Sequence, residues 1–173
     1  MTKTPEDRLE ELERRLKVLE DHVALYQALS AYGPSVDSME LDEALDLWEE
    51  DGVYDLGDGY PDMVGREGIR AMLEGPIHAG FVQRGCAHTM SLPLLKIDGD
   101  TAVGIGYHRL YAQAGDGAHV ARLTASRWEW RRQASGEWKA VKRTHRLLDG
   151  REEGRTLLRD TLKEIKSTSA IHD

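Results

Sequence analysis

The sequence predicts an α+β fold in which helices come first and an antiparallel sheet follows. Up to about residue 83 the apolar residues recur at helical spacing, and from His88 onwards they alternate with polar residues, as in strands that bury one face. Short turns of glycine and small polar residues separate the later strands, which indicates an antiparallel meander. Helices followed by a meander are typical of a fold with helices on one face of a sheet.

The clearest periodicity lies in the first thirty residues. Apolar side chains there follow the three-four spacing of a coiled-coil seam, at Leu9, Leu12, Leu16, Leu19, Val23 and Tyr26. Thr4-Pro5-Glu6-Asp7 provides a cap, an initial proline and early acids for a helix start. Residues 1–19 are predicted to form an arm that packs on a partner subunit; packing on its own domain is the alternative. The helix is predicted to end at Tyr32, before Gly33-Pro34.

The remaining elements follow in order along the chain. A second amphipathic helix is predicted over 39–50, a short strand over 53–56 closed by a turn at 57–59, and a third helix over 66–73 with another turn or two up to 83. Four strands are predicted over 88–97, 101–113, 119–133 and 138–148. A last amphipathic helix from Arg155 and a frayed tail complete the chain. The predicted units are an arm (1–19), one domain (20–150) and a C-terminal helix with its tail (151–173).

Composition excludes several classes of protein. The 173 residues suffice for one domain with a sizeable core. A net charge of −8 without a lysine-arginine stripe disfavours nucleic acid as a partner. The single cysteine, Cys86, excludes an internal disulfide and suits a reducing compartment. Because we find neither an apolar signal core nor a membrane-spanning apolar run, we expect a soluble cytoplasmic protein that does not bind membranes.

The first candidate site pairs Asp37, at the corner between the first two helices, with His88, at the start of a strand. About fifty residues separate them, so only the fold can bring them together. If they meet, the carboxylate orients the imidazole and supports it as a general base. Two other interpretations stay open: a relic pair in a binding protein, and no contact at all.

Side chains alternate between the two faces of a strand, and this alternation assigns a face to each of two further polar candidates. His108 shares a face with Gly104 and Gly106, so it faces either a cavity that those glycines open or the outer side of the sheet. Arg127 lies on a mostly apolar face, where a guanidinium needs a carboxylate or a substrate anion as its partner.

The opposite face of the same strand carries Trp128 and Trp130. Two tryptophans on an outer face indicate a dimer interface more than a ligand platform. His145 and Arg146 are neighbours on the next strand, so only one of them points inward, and the sequence leaves the choice open. Histidine spacing gives no metal motif, the glycine-rich segments are turns, and no serine or cysteine nucleophile motif occurs. We therefore expect a site without metal or cofactor.

A resemblance to a known family extends over about residues 20–150. The residues that carry it are Tyr32, the segment 36–48 (VDSMELDEALDLW), Asp51-Gly52-Val53-Tyr54, Gly65-Arg66-Glu67-Gly68-Ile69 and Gly136-Glu137-Trp138-Lys139. With these segments the chain resembles the SnoaL-like branch of the nuclear transport factor two-like (NTF2-like) superfamily. The resemblance implies a cone, formed by a strongly curved sheet and three helices, around a deep apolar pocket. Because such cones serve dehydratases, isomerases, hydrolases and non-catalytic binders, it implies no single function.

Within that superfamily, the segments Val36-Asp37 and Ala87-His88-Thr89 are similar in order and spacing to those of the scytalone and bile-acid 7α-dehydratases. The resemblance implies catalytic roles for Asp37, His88 and Tyr32, and substrate binding by His108, Arg127, Arg146 and Tyr54. It implies a cofactor-independent dehydratase-type lyase, or an isomerase, that acts on a small apolar oxygenated molecule such as a polyketide, steroid or terpenoid. The alternative is a non-catalytic small-molecule-binding or assembly protein. Either is expected to be a homo-oligomer, a dimer or higher.

Overall fold

The computed structural model describes residues 3–57 and 59–167, which contain five helices and seven strands. In chain order these are α1 (Pro5–Asp37), α2 (Leu41–Asp46), β1 (Trp48–Asp55), β2 (Met63–Val64), α3 (Gly65–Glu74), α4 (Pro76–Arg84), β3 (Cys86–Met90), β4 (Leu94–Asp98), β5 (Thr101–Ala114), β6 (Gly117–Arg132), β7 (Trp138–Leu147) and α5 (Glu152–Ser167). The turn predicted at 57–59 includes Asp58, and the predicted tail includes 168–173, which all lie outside the described residues.

The strands form one sheet in the order β2-β1-β7-β6-β5-β3. Strand β3 pairs with residues 108–112 of β5, and β4 pairs with residues 101–105 of the same strand. All neighbours are antiparallel except β1 and β7, which are parallel. Register shifts at Leu110/Tyr111 and Glu129/Trp130 bend the long strands. The three long strands begin and end within two residues of their predicted bounds. The predicted α+β fold, a curved sheet packed on N-terminal helices, is confirmed.

The first helix is longer than predicted, because α1 passes through Gly33-Pro34 and ends at Asp37. A Cβ atom at position 33 would collide with the carbonyl oxygen of His88. The glycine therefore marks a close approach between α1 and β3 and not the end of a helix. Val36, one turn further, is buried, and this packing outweighs the hydrogen bond that Pro34 removes.

The second helix ends earlier than predicted, because residues 48–50 belong to β1 and not to α2. Trp48 pairs with Ala140 of β7, and its side chain is fully buried in the core. Pairing with the sheet takes these residues out of the helix, although their apolar spacing suits a helix.

The last helix, α5, begins at Glu152, three residues before the predicted start.

The strand predicted over 88–97 is two strands, β3 and β4. The connection 91–93 contains a proline, which has no N–H group for the sheet ladder. A Cβ atom on Gly104 would lie 2.7 Å from Leu95, and one on Gly106 would lie 2.8 Å from Ser91. These glycines therefore accommodate β4 and its connection, and the prediction that they open a cavity was wrong.

The prediction that Trp128 and Trp130 lie on an outer face was also wrong. Both are buried, at 2% and 1% exposure, and their rings stack with centres 5.2 Å apart. The Trp128 ring also contacts Trp48 and Tyr32 of the core. The opposite face of β6 is the one covered by α5, which packs against it.

No helix within residues 3–57 and 59–167 is both long and apolar enough to cross a membrane.

Candidate active site

A cavity of about 300 Å³ lies between the sheet and helices α1, α3 and α4. Its wall is mostly apolar, with side chains such as Val36, Leu56, Met72, Phe81 and Leu110. The polar groups on the wall are three tyrosines, four histidines and two arginines: Tyr32, Tyr54, Tyr60, His78, His88, His108, His145, Arg122 and Arg143. No acidic side chain lines the cavity in the described part of the chain. Such a cavity suits a small apolar molecule with a few oxygen atoms.

His88 lines this cavity and contacts Asp37, which lies just outside it. Asp37 is the last residue of α1; its Oδ1 atom lies 2.5 Å from His88 Nδ1, and its Oδ2 atom accepts the His88 backbone N–H at 2.7 Å. The close approach at Gly33 brings the two elements together. An ionised carboxylate only accepts hydrogen bonds, so Nδ1 carries a proton, and in the neutral ring the lone pair is on Nε2. Nε2 has no hydrogen-bond partner among the described residues.

The surroundings keep Asp37 ionised. Burial raises the pKa of this carboxyl, but hydrogen bonds from His88 and from the Cys86 thiol, at 3.3 Å, outweigh burial and hold the pKa below its ordinary value. Burial and the neighbouring carboxylate raise the pKa of Cys86 to about 12, so the thiol stays protonated and is not a nucleophile.

Asp37, Cys86 and His88 also form the one group of three metal-ligating side chains that the described residues contain, with ligand atoms within 4.8 Å of one another. A metal ion there would have to displace the thiol proton and the Nδ1 proton, which are both engaged with Asp37. The donor set therefore fits a hydrogen-bonded dyad better than a metal centre.

Four histidines form a row along the cavity: His78, His88, His108 and His145. Neighbouring ring centres are 5.3, 5.5 and 4.9 Å apart. Burial lowers the pKa of His108 to about 2, and burial with nearby Arg143 lowers that of His145. Both rings are therefore neutral. His108 points inward, and neither of its ring nitrogens has a hydrogen-bond partner among the described residues.

The neutral state of His108 predicts an acid-sensitive stability. The folded pKa lies below the ordinary value of 6.5, so the unfolded chain takes up a proton that the folded chain refuses, and stability falls as the pH drops below about 6.5. His108→Gln should reduce this slope by up to about 1.4 kcal/mol per pH unit. Urea unfolding at several pH values between neutrality and pH 4 measures it. An unchanged slope in His108→Gln would contradict the prediction.

His145, and not Arg146, points into the cavity. The Tyr54 hydroxyl lies 3.0 Å from His145 Nδ1, and the Ser126 hydroxyl lies 3.0 Å from Nε2. Arg146 forms a two-bond ion pair with Asp55, at 2.7 and 2.8 Å, outside the cavity.

Arg127 is also outside the cavity, where its Nη1 donates to Glu164 of α5 at 2.6 Å. The assignment of Arg127 and Arg146 to substrate binding is therefore corrected, because acidic side chains outside the cavity hold both guanidinium groups.

Burial raises the pKa of Tyr32 and Tyr54, so both phenols are neutral.

The sequence analysis missed Arg143, which lines the cavity and is 1% exposed. Its guanidinium lies 4.3 Å from the Trp128 ring centre and 4.9 Å from those of Tyr32 and Tyr54. It forms no salt bridge with a carboxylate in the described chain. A bulge in β7 explains the omission. Glu129 pairs with Lys142 and Trp130 pairs with Ala140, so residue 141 has no partner of its own on β6. The alternation of inward and outward side chains therefore shifts by one residue at this point of β7.

Comparison with known proteins agrees with this fold. A family model for the SnoaL-like domain matches residues 17–144. An NTF2-like protein with a cystatin-like fold from Novosphingobium aromaticivorans is 34% identical, with a TM-score of 0.83 over 87% of this chain and 96% of that chain. A second protein from that bacterium, named as a candidate aromatic ring hydroxylase, is 30% identical, with a TM-score of 0.58 over 75% of this chain and 90% of that chain.

A hexachlorocyclohexane dehydrochlorinase from Novosphingobium barchaimii shares the fold. It is 19% identical, with a TM-score of 0.67 over 78% of this chain and 90% of that chain. The curated protein sequences contain no significant match. From the family model and the 34% identical structure we conclude that this chain belongs to the SnoaL-like family of NTF2-like proteins.

Proposed function

We propose that the protein is a cofactor-independent lyase or isomerase that removes a proton from a small, mostly apolar oxygenated molecule. The observation that carries the proposal is the hydrogen bond between Asp37 and His88, where His88 lines an apolar cavity and its second ring nitrogen has no partner among the described residues. Membership of the SnoaL-like family supports it, since a structural neighbour of the same fold is named as a dehydrochlorinase, an enzyme of elimination.

In the proposed first step, His88 Nε2 takes a proton from a carbon atom of the substrate. The imidazole becomes a cation, and the Asp37 carboxylate stabilises it through Nδ1. Because the pKa of Asp37 is held below its ordinary value, the carboxylate carries its charge at neutral pH, when the base is needed. The mostly apolar wall keeps bulk water from competing for the proton.

The charge left on the substrate needs a partner, and Arg143 provides one. It is a buried cation without a carboxylate partner among the described residues, so an oxygen atom that gains negative charge is favoured beside it. Tyr32, whose phenol remains neutral, lies against the same guanidinium and adds a hydrogen-bond donor. We infer that the substrate presents a carbonyl or similar oxygen to this end of the cavity.

The second step distinguishes a lyase from an isomerase. In a lyase the electron pair expels a leaving group from the neighbouring carbon, whereas in an isomerase the proton returns at another carbon. His108 is neutral, and its ring nitrogens have no partner in the described part of the chain, so it can accept a hydrogen bond from a substrate hydroxyl or donate one to it. This role suits the binding of a polar substituent near the base.

Proton exchange tests the proposal without knowledge of the natural substrate. Phenylcyclohexanone in deuterium oxide, followed by proton NMR, reports removal of the hydrogens beside the carbonyl, and a cyclic β-hydroxy ketone reports elimination. Exchange or elimination above the rate of the buffer, abolished by loss of His88, is the expected result. Ligand binding without either reaction in a wider ketone panel would favour a non-catalytic binding protein, for which the apolar wall is sufficient.

Asp37→Asn should slow exchange by a factor no larger than that of His88→Ala. The amide oxygen still accepts the Nδ1 proton, but the charge that stabilises the imidazolium is lost. The exchange rate is compared with that of Cys86→Ser, which leaves the carboxylate in place and should retain most of the activity. A wild-type rate for Asp37→Asn would show that the carboxylate has a structural role only.

A further inference from the structure

The N-terminal half of α1 carries an apolar seam that the domain does not cover. The buried residues of α1 begin at Asp21, so the helix projects from the domain before that point. Along the projecting part, five apolar side chains are more than half exposed: Leu9, Leu12, Leu16, Leu19 and Val23. They occupy alternating a and d positions of a heptad repeat, and Tyr26 is the next d position.

Charged residues flank this seam on both sides in a regular order. The g positions hold Arg8, Arg15 and His22, and the e positions hold Glu13, Glu20 and Gln27. Arg8, Glu13, Arg15 and Glu20 are exposed, and none of them forms a salt bridge within the described chain. By contrast, Arg14 and Lys17, on the outer side of the helix, pair with Glu11 and Asp21 of the same helix.

The order of the charges selects one orientation for a second copy. In a parallel coiled coil each g residue meets the e residue five positions further along the partner, so Arg8 meets Glu13 and Arg15 meets Glu20 of the second copy. An antiparallel pair would place arginine against arginine and glutamate against glutamate. We propose that residues 5–27 of two copies of this chain form a parallel two-stranded coiled coil.

The attachment of α1 to the domain agrees with this geometry. Asp21 occupies an f position, opposite the seam, and its carboxylate accepts two hydrogen bonds from Arg132, at 2.5 and 2.7 Å, and one from Trp138 at 3.2 Å. The domain therefore holds the outer face of the helix and leaves the seam free. From Leu25 onwards the helix buries one face in its own domain, and the next a position is the polar Ser30, so the coiled coil ends near Tyr26. One of the three a positions, Val23, carries the β-branched side chain that two-stranded coils favour together with a d-position leucine such as Leu19.

Sedimentation equilibrium of the full chain at micromolar concentration tests the proposal. The expected mass is twice 19.5 kDa. The double variant Leu16→Glu/Leu19→Glu should weaken association at least tenfold, and because both side chains are exposed, the domain should stay folded and melt cooperatively. Val18→Glu is the matched control, since Val18 is exposed on the same helix but lies outside the seam. A monomeric wild type would overturn the proposal and leave the seam to a different partner, and so would a trimer or a dimer that the double variant does not weaken.

Two further measurements test the orientation. Arg15→Glu and Glu20→Arg should each weaken association, and an equimolar mixture should recover it, because each variant supplies the charge that the other lacks. Leu12→Cys should oxidise to a disulfide-linked dimer, because parallel d positions face each other, whereas Arg14→Cys at an f position should not. Failure of Leu12→Cys to cross-link in a protein that is dimeric would overturn the parallel arrangement.

Discussion

His88→Ala is expected to lower the rate of ketone α-hydrogen exchange by about 10²–10⁴-fold, the usual contribution of one general base. Within the described residues, His88 is the only histidine at the cavity wall whose ring is hydrogen-bonded to a carboxylate. The substitution removes this ring and with it the proposed base. The fold should remain intact, because Asp37 keeps its hydrogen bond from the backbone N–H of residue 88.

Two comparisons make this experiment decisive. His119→Ala, at an exposed position of β6, should keep the wild-type rate and controls for the loss of a histidine as such. A melting temperature close to that of the wild type excludes unfolding as the cause of a lost rate. If His88→Ala exchanges the ketone as fast as the wild type, the catalytic interpretation is wrong and the pair only joins α1 to β3.

Arg143→Met is the second substitution with a large expected effect. Exchange should fall by about 10²–10³-fold, as when one group that stabilises a developing oxyanion is removed. The free energy of unfolding should change by less than about 1 kcal/mol, because the loss of cation–π contacts is offset by removal of a buried charge that has no carboxylate partner in residues 3–57 and 59–167. Arg143→Lys should retain part of the rate, since it keeps the charge but not the planar donors.

Arg127→Met is the matched control, and the opposite pattern is expected for it. This arginine lies outside the cavity and pairs with Glu164, so its loss should lower stability slightly and leave exchange unchanged. Urea unfolding and the NMR exchange assay measure both quantities for both variants. Wild-type exchange in Arg143→Met, or a larger loss of exchange in Arg127→Met, would contradict the proposed position of the substrate oxygen.

The sequence predicted the long strands well because their signal is local and repeated. Successive side chains of β5, β6 and β7 point to opposite faces of the sheet. The resulting alternation of apolar and polar residues over ten or more positions identifies each strand. Boundaries were less predictable where tertiary contacts overrode a local preference. Gly33-Pro34 is normally a helix breaker, yet the close approach of α1 to β3 makes use of the glycine while the helix continues.

By itself, the sequence determined the fold class, the long strands and the apolar seam of α1, because periodicity and residue type are properties of the chain alone. The resemblance to the SnoaL-like family added Asp37 and His88 as a candidate pair. Only the tertiary structure decided which face of β6 is covered and which residue of β7 reaches the cavity. Parity separates two faces without saying which of them a helix covers, as Arg127 and Trp128 illustrate. The extra residue at position 141 reverses the parity of β7 through its pairing with β6, and that pairing brings Arg143 and His145 into the cavity.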